Sequence, residues 1–131
     1  MMKLKVMVML LAVSSTAQAV QLEEVSAVTQ CTALAVEAGY GSKAHQYVEK
    51  GIARSLSLYK QTMAESNMSI DSPEALVSGF TQYYQGLGIS HAYSFIEDAL
   101  HAKGVPLHGT EWATEAGSQF KQRNCAVIIG K

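Results

Sequence analysis

The sequence predicts an all-α protein, a small irregular bundle of four to five helices stapled by one disulfide. Three observations predict it. Apolar residues recur at spacings of three and four from Leu22 to Phe120, the period of a helix face and not the alternation of a strand. Gly, Pro and Ser interrupt that pattern at 39–42, 66–73, 86–90 and 104–106, where helices stop and start. Cys31 and Cys125 stand near opposite ends of the helical region, placed to tie the first element to the last.

Residues 1–19 differ from the rest. Lys3 and Lys5 give a basic start, Val6 to Val13 an unbroken apolar run, and Ser14 to Ala19 a small polar end closing on Ala17-Gln18-Ala19. This is the layout of a cleavable signal peptide. The apolar run is far shorter than the ~20 residues that span a bilayer. The expectation is a leader over 1–19 and a single helical domain over 20–131, with no transmembrane anchor after cleavage. Cleavage removes two of the 10 Lys+Arg and none of the 11 Asp+Glu, which moves the formal charge from −1 to −3. The remaining basic residues are scattered, with no adjacent pair. That argues against nucleic acid as a partner, because phosphate neutralisation needs clustered Lys and Arg.

In the first helix, over 22–38, Leu22, Val25, Val28, Thr32, Ala35 and Val36 form the stripe, and Gly39 caps its end. The second, Ser42–Glu65, carries Ala44, Tyr47, Val48, Ile52, Leu56, Tyr59 and Met63 on one side and tolerates Gly51 at a cost of about 1 kcal/mol. Asp71-Ser72-Pro73-Glu74 opens the third, Pro73–Gln85, with a cap residue, a proline in the first turn and an acid at the dipole. Gly86 and Gly88 are expected to end or bend it. The fourth, Ser90–Lys103, stops at Gly104 and Pro106, and the fifth is expected over Thr110–Asn124. The apolar tail Ala126-Val127-Ile128-Ile129 has strand-like residues but no partner strand. It is expected to pack on the bundle.

An even cysteine count in an exported chain favours a structural disulfide, here Cys31–Cys125. Closing a loop of 94 residues stabilises by up to about 4–5 kcal/mol in the chain-entropy model.

No chemical motif is complete. Gly39-Tyr40-Gly41-Ser42-Lys43 and Gly86-Leu87-Gly88 resemble pieces of phosphate loops, but both follow helices where those motifs follow strands. No G-x-S-x-G is present. The candidate metal ligands are His91, Glu97, Asp98 and His101, since Glu97 and His101 share a helix face. The H-E-x-x-H spacing is missing, and the same pair fits a solvated i,i+4 contact. The candidate interface residues are Tyr40, Tyr84 and Phe95, aromatics at or beyond the edges of their stripes. Such side chains bury large area at low entropic cost.

The arrangement of a leader, a first-helix Cys, a helical middle and a late Asn124-Cys125 is similar to that of many small exported helical proteins of bacteria. Some of these neutralise toxins in the periplasm. The resemblance is one of architecture and carries no functional residue across. It implies a periplasmic or secreted protein-binding module of the inhibitor or immunity type. Its partner would be another exported or envelope protein, or a second copy of itself. The alternatives are a small-ligand or metal-binding module and a cell-envelope enzyme with an unrecognised site. The sequence points away from the enzyme and indicates no cofactor.

Overall fold

The computed structural model describes residues 22–39, 42–65 and 72–130. Residues 1–19, expected to be a leader, and Tyr40 lie outside the described residues. Among the described residues the architecture is all-α, with no strand, and Cys31 and Cys125 form the disulfide with their Cα atoms 5.2 Å apart. Also among these residues, no helix is long and apolar enough to cross a membrane.

Helix α1 covers 22–38 and α2 covers Ser42–Glu65. Ser72 caps α3, Pro73–Gly79, by accepting a hydrogen bond from the Ala75 N–H at 3.1 Å. A π-helical turn, Phe80–Gln85, then leads without interruption into α4, Gly86–Lys103. Gly104, at φ 66°, closes α4 in the left-handed conformation. Helix α5, Gly109–Gln122, ends at a turn in which Asn124 takes φ 56°. The apolar tail then folds as a short helix, α6, Cys125–Gly130.

Helix α1 is the axis of this assembly. It contributes Val25, Val28, Cys31, Ala33, Leu34 and Ala35 to the buried apolar residues, with Thr29 buried beside them. A stripe of one face cannot hold all of these positions, so α1 is covered on most sides. Val36, expected inside, is instead 53 % exposed. Helix α4 presents Gly88, Ala92, Ile96 and Leu100, a ridge at every fourth residue. With Ala116 and Phe120 of α5 and Cys125 and Ile129 of α6, this ridge closes the main core. Tyr47 of α2 packs on Phe120 at a ring separation of 5.1 Å.

The expected break between a helix ending at Gln85 and one starting at Ser90 is not found, because α4 begins at Gly86 directly after the π turn. Gly88 is there because α1 passes too close for a side chain. A Cβ on it would stand 2.7 Å from Thr29 Cβ and 2.9 Å from the Thr29 carbonyl carbon. Gly51 of α2 does the same against Thr32 on another side of α1. Thr29 and Thr32 return their hydroxyls to the backbone carbonyls of Ser26 and Val28, so the close approach leaves no polar group unsatisfied.

Gly86 lies in the same helix but faces open space. Gly86→Ala is therefore expected to stabilise the protein by about 0.5–1 kcal/mol. Gly88→Ala is expected to destabilise it by about 1–3 kcal/mol through the clash with Thr29. Paired urea titrations check the opposite signs.

Candidate functional site

Beside the contact of Thr29 with Gly88, α1, the π turn and the start of α4 wall a depression of about 450 Å³. Leu22, Glu23 and Gln30 line it from α1, and Tyr83, Tyr84 and Leu87 from the π turn and the start of α4. Tyr83 is 63 % exposed, and its ring meets Tyr84 edge-on at 5.0 Å and 81°. Tyr84 leans on Tyr59 of α2 at 5.1 Å, and Tyr59 on the buried Phe80 at 5.6 Å. The exposed ring thus ends a ladder rooted in the core. Burial pushes the Tyr84 phenol above its ordinary range, and the neighbouring phenols of Tyr59 and Tyr83 add to this. The Tyr84 phenol is therefore neutral at physiological pH.

Of the residues singled out from sequence, Tyr84 belongs to this wall and is half-buried. Phe95 lies further along the chain on α4 and is half-buried. Its ring is covered by the Arg123 guanidinium, 3.5 Å from the centroid. His91 lies between them, with its Nδ1 3.0 Å from Gln30 Nε2. Glu97, Asp98 and His101 are exposed on α4. Among the described residues, no group of three or more His, Cys, Asp or Glu side chains is placed to hold a metal ion.

Two polar clusters escape sequence reasoning. The Glu37 carboxylate accepts hydrogen bonds from Trp112 Nε1 at 2.7 Å and Tyr93 Oη at 3.2 Å, joining α1, α5 and α4. The two rings meet edge-on at 5.4 Å. The charge of Glu37, followed by its hydrogen bond, holds the Tyr93 phenol above its ordinary range. A tryptophan on a core-facing stripe needs a partner for its indole N–H, and that need was the available signal. No spacing rule could pick Glu37, which lies 75 residues away.

The second cluster centres on Glu115, only 4 % exposed. It accepts from Lys103 Nζ at 2.6 Å and Gln119 Nε2 at 2.9 Å, and Arg123 Nε donates to Gln119 at 3.1 Å. Burial pushes the Glu115 carboxyl up. The hydrogen bonds from Lys103 and Gln119 and the Lys103 charge outweigh it, and the net shift is downward. Beside this cluster lies a depression of about 260 Å³ lined by Leu100, Val105, Thr110 and Glu111. A narrower apolar groove, about 170 Å³, lies between α1, α2 and α4 with Val36, Val48, Ile52 and Ile89 along it.

Compared with protein-family models, curated proteins and solved structures, the chain matches none.

A carboxyl with a lowered folded pKa stabilises above the unfolded value, near ~4.3, and loses that contribution as pH falls through the folded value. Replacing Lys103 removes its hydrogen bond and its charge and leaves only Gln119 to oppose the burial of Glu115. Lys103→Met is therefore expected to cost about 1 kcal/mol at neutral pH. The deficit should shrink as pH falls below the ordinary carboxylate range and through the lowered folded value of Glu115. Unfolding titrations from pH 3 to 7 on both proteins check this; a deficit independent of pH would contradict it.

Proposed function

We propose that this chain is a small exported protein-binding domain, of the kind that inhibits or neutralises its partner, and that it docks through the tyrosine-lined depression. The observation that carries this reading is Tyr83, a mostly exposed ring held in place by the Tyr84, Tyr59 and Phe80 ladder. Exposed, pre-ordered tyrosines contribute most to binding because they bury a large area while losing little conformational freedom. The π turn supports the same reading. Such turns interrupt α-helices mostly at functional places, and this one carries both Tyr83 and Tyr84. The depression is shallow and opens sideways between two helices, a shape that suits protruding side chains of a partner. Export is supported by the leader-like residues 1–19 and by the disulfide, which persists in oxidising compartments.

The test compares the wild-type protein with Tyr83→Ala for retention of a partner purified from the exported fraction of the native host. The variant is expected to weaken retention by roughly thirty-fold, the scale of a ~2 kcal/mol interfacial hot spot. Its stability should stay within about 0.5 kcal/mol, because the ring is mostly in solvent. Full retention by Tyr83→Ala would contradict the reading.

A further inference from the structure

The two helices that wall the depression share a charge pattern. Helix α1 carries Glu23, Glu24 and Glu37 and no Lys or Arg, and α4 carries Glu97 and Asp98 with one Lys, Lys103, which is paired with Glu115. Three of these carboxylates lie on α1, and two of those three are engaged internally. Glu24 pairs with Arg54 of α2, and Glu37 accepts from Trp112 and Tyr93. Glu23 differs. It is exposed, it lines the depression opposite Tyr83 and Tyr84, and among the described residues no cation reaches it. Among the described residues, no Lys or Arg lines the depression.

From this charge complementarity we infer that the depression receives an arginine side chain of a cationic partner protein. The inference rests on the reading of the depression as a docking surface and adds the chemistry of what docks. A planar guanidinium matches what the site offers. It stacks on an aromatic face, here Tyr83, while its forked N–H groups donate to a carboxylate, here Glu23. Its aliphatic stem lies along Leu22 and Leu87 and keeps them from water. The protein already holds one such pair on its own surface, Arg123 over Phe95. Around the site, the unbalanced carboxylates of α1 and α4 favour approach of a basic surface and disfavour an acidic one.

The probe is a blocked Gly-Arg-Gly-Arg-Gly peptide, titrated into the mature isotope-labelled protein and followed by amide shifts. A second peptide carries citrulline at both arginine positions, keeping the shape and losing the charge. The arginine peptide is expected to give saturable shifts centred on Glu23, Gln30, Tyr83 and Leu87. The citrulline peptide should bind about five-fold more weakly. Glu23→Gln, exposed and therefore harmless to folding, should weaken the arginine peptide by about three- to five-fold and leave the citrulline peptide unchanged.

Equal affinity for the two peptides, shifts centred on Glu97 and Asp98 instead, or no saturable shift at millimolar peptide would each overturn the inference. If Tyr83 is still needed for the partner in any of those cases, the docking surface stands and only its arginine chemistry fails. If Tyr83 is dispensable as well, both fail.

Discussion

The constraint on which the rest of the structure depends is the burial of α1. A helix enclosed on most sides must let its neighbours come close without leaving polar groups stranded. Residues 22–38 meet that condition with small and apolar side chains, and their three carboxylates stand only near the ends. The ends are then fixed from outside, by Arg54 on Glu24 and by Trp112 and Tyr93 on Glu37. The middle is fixed covalently through Cys31. Gly51 and Gly88 let α2 and α4 approach the Thr32 and Thr29 positions, and the hydroxyls there are absorbed by α1 itself.

Two openings on the surface adjoin that close contact. One is the depression that Tyr83 and Tyr84 wall, and the other the apolar groove of Val36, Ile52 and Ile89. The π turn bears on the first. It lies between α3 and α4 and carries the two adjacent tyrosines as an edge-to-face pair. The same residues therefore serve packing and recognition, with Phe80 and Tyr59 as the inner part of the ladder and Tyr83 as the outer.

Much of the fold was legible because its signals are local. The span of α2, the Ser72 cap and the Gly104 stop each depend on a few adjacent residues. The Cys31–Cys125 pairing was legible by elimination, since the chain offers only two cysteines. Features that depend on a distant neighbour were not legible. Gly88 reads as a helix breaker until Thr29 is seen against it. Glu115 reads as a surface acid, and its burial depends on Lys103 from the preceding helix. Phe95 reads as an exposed edge aromatic, but Arg123 covers it. The candidate site was legible only in part. Tyr84 was identified, whereas Tyr83 stands at helical spacing with Phe80 and Leu87 and reads as part of the buried stripe, although it is the more exposed of the pair. The divergence of adjacent helical residues places one ring against the core and the other against solvent.

Enclosed on most sides and tethered through Cys31, α1 should be the last helix to unfold. Amide hydrogen exchange on the oxidised protein, read residue by residue, tests it most directly. The account predicts that the amides of Val25 to Ala35 are the slowest in the chain and exchange only with global unfolding. It also predicts that reducing the Cys31–Cys125 bond accelerates them together with Cys125 to Ile129. Exchange of α1 ahead of α4 and α5, or no response of α1 to reduction, would contradict the account.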